Sequence, residues 1–157
     1  MIRSGRPDDL PAIADLLGPL FRTTYAPIIG SARTDALNAE WHAPARLNEQ
    51  LDPPGTSFLV AEEDGRVLGH GFASAIRPTV LFVARLYVVA GHQRGGLGSR
   101  MLADLVERQP AAEIVRLFVA EGNAAASAFY RRRGFVEAGR TEEGGFVSIR
   151  IERRLAG

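Results

Sequence analysis

A mixed α/β fold of the α+β type, one sheet with helices on its faces, is predicted by three observations. Asp64 and Gly65 stand between two short apolar runs in "TSFLVAEEDGRVLGHGFASAI", a strong signal for a tight antiparallel hairpin. The run "TVLFVARLYVVA" is nearly all apolar, the pattern of a central strand buried on both faces. Helix-periodic segments stand before and between the strand-like ones, giving the order β-α-α-β-β-β-α-β-α-β-β. The hairpins exclude a purely parallel, doubly wound sheet.

Each element has a local reason. "MIRSGRPDDLPAIADLLGPLFRTTY" opens with a short strand, after which Pro7, Asp8 and Asp9 suit a helix start. The spacing of Leu10, Ile13, Leu16, Leu17 and Leu20 predicts a helix from about Pro7 to Leu17, open to continuation beyond Gly18 and Pro19. "SARTDALNAEWHAPARLNEQLD" reads as a second helical stretch, interrupted near Pro44. After the central strand and the glycine-rich "GHQRGGLGSR", residues Leu97, Met101, Leu102, Leu105 and Val106 mark a helix ending near Pro110. "EIVRLFVA" is another strand, and "NAAASAFYRRRG" a helix with Asn123 as N-cap and Gly134 as its stop. "FVEAGRTEEGGFVSIRIERRL" closes the chain as a second hairpin turning at Gly144 and Gly145. There is no internal repeat and no low-complexity segment.

Composition narrows the function. A chain of 157 residues with 46% apolar and 24% charged residues suits one globular domain over 1–157. No window approaches the roughly 18 consecutive apolar residues of a membrane span, and the N-terminus has no apolar signal region, so a cytoplasmic location without membrane partners is expected. The absence of cysteine removes disulfides, thiolate metal sites and a cysteine acyl-enzyme. His42, His70 and His92 show no metal-ligand spacing, so no metal is expected. A net charge of +1 argues against nucleic acid as partner. All 19 basic residues are arginine, which reflects genome composition, and Arg131, Arg132 and Arg133 read as a solvated helix end.

A buried strand, a glycine-rich turn and a helix start in succession make an anion site, because the first helical N–H groups lack intrahelical partners. Gly91 and Gly96 have Walker A spacing, but Leu97 and Gly98 occupy the places of its lysine and hydroxyl. Gly96 and Gly98 could open a dinucleotide fingerprint, yet Met101 replaces the third glycine. What remains is QxxGxG, formed by Gln93, Gly96 and Gly98.

At this point the sequence resembles the GNAT superfamily, whose members take an acyl group from coenzyme A. The segment "LFVAEGNAAASAFYRRRGFVEAGR" is similar to the family as well, through Asn123, Tyr130, Gly134 and Phe135. In element order the resemblance covers nearly the whole chain; in specific motifs it covers about residues 81 to 140. It implies a mostly antiparallel central sheet of six to seven strands flanked by about four helices, acetyl-CoA as co-substrate, and a cradle for it formed by Leu86, Tyr87, Val88, Gln93, Arg94, Gly95, Gly96, Leu97, Gly98, Ser99 and Asn123. It also implies an oxyanion-binding N–H near Val88 and Tyr130 as general acid. Relatives often dimerise, so a homodimer is an expectation of the resemblance alone.

The residues keep their structural readings beside these. Asn123 and Tyr130 are seven apart and so lie about 20° from one another on one helix face, both able to reach one ligand. Tyr130 would otherwise be half-buried core, Asn123 simply a cap. Acetyl transfer to an amine needs a neutral amine, a donor for the developing oxyanion and a proton for the departing thiolate. Without cysteine, direct attack in a ternary complex is the simpler route.

The general base departs from the better-known patterns: glutamates that relatives carry on two strands correspond here to Phe82 and Phe118. Glu121, Glu40, His42, His70 and Tyr25 are the remaining candidates. Arg85, the single charge in the central run, either pairs with a carboxylate or meets an anionic substrate group. Tyr25, Trp41 and His42 would line the acceptor pocket or serve as helix packing. The expected partner is a small-molecule amine or, secondarily, a protein N-terminus, and an acyl-CoA-binding module without turnover is the alternative.

Overall fold

In the computed structural model, which describes residues 1–93, 95–143 and 145–156, strand β1 (Ile2–Ser4) leads through a 3-10 turn at Pro7–Asp9 into helix α1 (Leu10–Ile29). The Asp9 carboxylate accepts from the Arg6 N–H at 2.7 Å and pairs with the Arg3 guanidinium at 2.8 Å. Helix α1 thus starts after the 3-10 turn, three residues later than the sequence implies, and takes the longer of the two courses that the sequence leaves open beyond Leu17. It runs through Gly18, Pro19 and Pro27. An internal proline costs about 3 kcal/mol, but Ile13, Leu17 and Phe21 are fully buried on one face, each contributing about 1.5–3 kcal/mol. Packing outweighs the missing backbone bond.

The second helical stretch divides at His42 and Ala43 into α2 (Ser31–Trp41) and α3 (Pro44–Glu49), which brings the α-helices among the described residues to five. Strands β2 (Thr56–Glu63) and β3 (Arg66–Arg77) are joined by Asp64 and Gly65 at φ 52° and 77°, the two positive values a type I′ turn requires. Then follow β4 (Val80–Val88), α4 (Leu97–Glu107), β5 (Ile114–Ala120), α5 (Ala124–Arg131), β6 (Val136–Glu143) and β7 (Phe146–Arg154). Of the closing turn, Gly145 has φ 86°, as the sequence suggests, while Gly144 lies outside the described residues.

The seven strands form one sheet in the order β1-β2-β3-β4-β5-β7-β6. Every neighbour is antiparallel except β4 and β5, which run parallel. Helices α4 and α5 cover one face, over a core that includes Leu59, Leu81, Leu105, Leu117 and Phe135. Helices α1 and α3 cover the other, where Ile13, Leu17 and Leu47 meet Phe58, Val60 and Phe72.

Two irregularities in β4 position everything that follows. Its pairing with β5 lasts for only three residues, Val80↔Ile114 to Phe82↔Arg116, after which the strands diverge. Its pairing with β3 slips between Ala73↔Val83 and Phe72↔Arg85, leaving Ala84 as a bulge. Strand side chains alternate faces, so one extra residue reverses the alternation beyond it. Val83 packs beneath α4, and Arg85, two residues on, lies on the α1 face beside Phe72.

Candidate active site

The divergence of β4 from β5 opens a cavity of about 530 Å³, bordered by the freed edge of β4, by Leu20, Thr24 and Tyr25 of α1, and by α5. A strand that loses its neighbour leaves main-chain groups unpaired along that edge. The Val89 N–H donates to the Leu68 carbonyl at 2.8 Å, toward β3. Successive amides in a strand point to opposite edges, so the Val88 N–H points into the cleft. The Val88 carbonyl points the same way and accepts from Gln93 Nε2 at 3.1 Å. Gln93 thus ties the following loop to the strand end.

That loop turns into α4 at Gly96, whose φ of 80° is left-handed. The first N–H groups of α4 have no intrahelical acceptor, the usual basis of an anion cradle. Gly98 lets this helix end approach α5: a Cβ there would stand 3.4 Å from the Phe129 ring and 3.7 Å from the Val88 side chain. Arg133 stacks over Phe129 at 3.6 Å and donates to Ser99 Oγ at 3.2 Å. It is therefore part of the helix contact and not the solvated end suggested by its charge; the aromatic face holds its guanidinium.

Helix α5 begins at Asn123, whose Oδ1 accepts from the Ala126 N–H at 3.2 Å, the expected N-cap. It ends where Gly134 takes φ 88°; the Phe135 N–H bonds the Tyr130 carbonyl and the Gly134 N–H bonds that of Arg131. These are the two bonds of a Schellman motif, and its hydrophobic contact is Phe135 on Tyr130, with ring centroids 5.3 Å apart. The helix terminus thus fixes the Tyr130 ring. Its hydroxyl has no hydrogen-bond partner among the described residues, and burial pushes its pKa well above the ordinary tyrosine value. Tyr130 stays protonated at any physiological pH.

Of the residues singled out in the sequence, Tyr25, Arg85, Leu86, Tyr87, Val88, Gln93, Gly98, Asn123 and Tyr130 border this one cavity. Gly95 and Leu97 border a second, of about 340 Å³, on the far side of the loop, with Leu97 packed against Met101. Gly96 and Ser99 border neither, and Arg94 lies outside the described residues. Phe129, Thr24 and Leu20 also line the main cavity without any signal in the sequence beyond helical periodicity.

A model of the Acetyltransferase (GNAT) family matches residues 14–135. The chain belongs to this family. It is an acyltransferase, and its relatives bear that out: the Mycobacterium tuberculosis protein named Probable N-acetyltransferase Rv2775 is 28% identical over 144 residues, covering 89% of this chain and 82% of that protein. Phosphinothricin N-acetyltransferase of Alcaligenes faecalis is 30% identical over 152 residues, 92% of this chain and 74% of the relative. The fold matches that of the PaiA N-acetyltransferase from Thermoplasma acidophilum, solved in complex with coenzyme A, with a TM-score of 0.87, 20% identity and coverage of 99% and 98%.

On the α1 face of the sheet, the ion pair considered for Arg85 is absent: no carboxylate lies within ion-pair distance of it among the described residues. Its Nε donates to His70 Nε2 at 3.1 Å and its Nη2 to Gln50 Oε1 at 2.6 Å, and its guanidinium lies 4.9 Å from the Phe72 ring centre. The reversed alternation beyond Ala84 is the reason, since it turns Arg85 onto a face of aromatic and neutral polar groups. Gln50, at the end of α3, carries no signal in the sequence that would single it out.

The base candidates separate. Glu121 is exposed in a pair with Arg140, and Glu40 is exposed on α2; neither borders the cavity. His70 Nδ1 faces the Leu59 carbonyl at 2.9 Å and must carry the proton, so its Nε2 lone pair is occupied by Arg85. His42 Nδ1 bonds Asn38 Oδ1 at 2.8 Å, and its ring packs edge-on against Phe21. Trp41 likewise packs edge-on against Phe21 as a helix contact. Tyr25 does reach the cavity. Phe82 and Phe118 meet edge to face, with centroids 6.0 Å apart.

Burial, and then the nearby Arg85 charge, lowers His70 to about 3 and His42 to about 4. Both rings stay neutral in the native protein while the unfolded chain takes up protons below about 6.5. Stability from these two groups is thus fully present above that pH and is lost as pH falls toward 4, by at most about 1.4 kcal/mol per pH unit for each ring. Urea midpoints at pH 7.5, 6.0 and 5.0 should fall in that order. A constant midpoint would show that the rings are not held neutral.

Proposed function

We propose that the chain transfers an acetyl group from acetyl-CoA to the primary amine of a small molecule, by direct attack within a ternary complex. The observation that carries this reading is the cleft itself, where the freed Val88 N–H and the Tyr130 hydroxyl border the same space. Acetyl-CoA supplies an activated thioester carbonyl. The backbone N–H groups of Gly96 to Ser99 are suited to its diphosphate, and Asn123 Nδ2, the part of that side chain not engaged in the helix cap, to its pantetheine arm. The amine nitrogen bonds the carbonyl carbon while the Val88 N–H donates to the carbonyl oxygen as negative charge develops there; as the C–S bond breaks, Tyr130 gives its proton to the departing sulfur, and the proton shed by the new ammonium nitrogen passes through water to restore the phenol.

A small acceptor is supported by the relative that is named for phosphinothricin. Incubation with acetyl-CoA and a panel of amines tests the proposal directly through free thiol release. The chain has no cysteine, so a thiol reagent reads only the product. Release that depends on added amine supports it; binding of acetyl-CoA without release on a broad panel would leave a binding module instead.

No aspartate or glutamate side chain borders the cavity among the described residues, and burial raises the pKa of Tyr25, the one base candidate that does border it, so that its phenol stays protonated. The amine therefore enters neutral or loses its proton to water. The ascending limb of kcat/KM for the acceptor should accordingly follow the amine's own pKa, moving to higher pH when a more basic amine is substituted. A limb at one fixed pH for amines of different basicity would point to a protein base.

A further inference from the structure

We propose that the acceptor amine also carries a carboxylate or comparable oxyanion, and that Arg85 receives it. The inference deepens the acetyltransferase reading and rests on it. Arg85 is 8% exposed, and a buried guanidinium is costly unless a counter-charge meets it. The groups that do meet it are neutral. His70, fixed in the tautomer that presents a lone pair, takes Nε–H, and Gln50 takes one hydrogen of Nη2. Two aromatic rings flank the guanidinium, Phe72 at 4.9 Å and Phe58 at 6.0 Å.

These contacts orient the fork without neutralising it. Nη1 has no partner among the described residues and is not sealed from solvent, and the residue borders the cavity. Burial lowers the pKa only to about 10, so the group remains a cation at neutral pH. An oxyanion reaching Nη1 and the second Nη2 hydrogen would form a charge-assisted pair in a low-dielectric setting.

The rest of the cavity points the same way. Among the described residues, Arg132 is the other ionisable cation that borders it, and no carboxylate borders it to compete for Arg85 or to attract a polycationic amine. Two arginines with no carboxylate beside them among those residues favour an acceptor with an anionic end over a neutral or doubly cationic one. The same field favours the neutral form of the attacking amine, which suits a cleft without a carboxylate base.

The test compares matched acids and amides by acetyl-CoA-dependent thiol release: L-leucine with L-leucinamide, β-alanine with β-alaninamide, and L-phosphinothricin and aminomethylphosphonate as acceptors with other oxyanions. Wild type should prefer at least one acid over its amide by at least about tenfold in kcat/KM, and R85Q should reduce that ratio to within about threefold by raising KM for the acid. Calorimetry with N-acetyl-leucine and N-acetyl-leucinamide in the presence of coenzyme A gives a readout without turnover. The acid should bind more tightly to wild type, and R85K should keep part of the difference, because it retains the charge but not the fork. If R85Q does not fold, the wild-type acid-to-amide ratio and R85K decide. Equal turnover of acids and amides by wild type, or an unchanged ratio in R85Q, overturns the assignment while leaving the acetyltransferase reading intact. No thiol release with any amine, together with no preference for the N-acetyl acid, overturns both.

Discussion

Tyr130→Phe is expected to lower kcat by about 10²-fold, the usual minimum for losing a positioned acid, while KM for acetyl-CoA changes little. The phenol hydroxyl has no hydrogen-bond partner among the described residues, so its removal strands no buried group, and thermal stability should stay near that of wild type. The ring would keep its contacts with Phe129 and Phe135, at 5.0 and 5.3 Å between centroids. A loss of turnover without a loss of stability would separate proton donation from packing. Single-turnover measurements establish whether chemistry limits the rate. Near wild-type turnover under chemistry-limited conditions would remove Tyr130 from the role of acid.

Gly98→Val is expected to weaken acetyl-CoA binding by at least about tenfold, or about 1.4 kcal/mol, in a protein that still folds. A Cβ alone would sit 3.4 Å from Phe129, so the two additional methyls of valine must displace that ring or the Val88 side chain. Either movement shifts the first turn of α4 relative to the cleft. Gly98→Ala is the control: it places only the Cβ and should retain most of the affinity. Calorimetric titration with acetyl-CoA checks both, and wild-type affinity in Gly98→Val would return the loop to the status of a turn.

The parts of this site legible in the sequence are those with local causes. Gly96 and Gly134 adopt positive φ, Asn123 caps its helix, and Asp64 and Gly65 form their hairpin turn because each signal depends on a few neighbouring residues. The helical face shared by Asn123 and Tyr130 is also arithmetic on one segment, and both border the cavity. Local signals fail where burial competes with them. Pro19 leaves the end of the first helix open in the sequence, and the buried face of α1 decides it by carrying the helix on to Ile29. Arg133 reads as solvated, yet Phe129 holds it.

By itself, then, the sequence determined the class of fold, the glycine loop and the helix that presents Tyr130, since these follow from periodicity, backbone preference and spacing along one stretch of chain. A free N–H near Val88 is implied by the family resemblance, but only the three-dimensional structure shows that β4 and β5 part after Phe82 and that Arg85 lies among His70, Gln50 and Phe72, with no carboxylate within ion-pair distance among the described residues. Those outcomes turn on strand register and on the single extra residue at Ala84. Register is a relation between segments far apart in the chain, and a shift of one residue sends a side chain to the opposite face of the sheet.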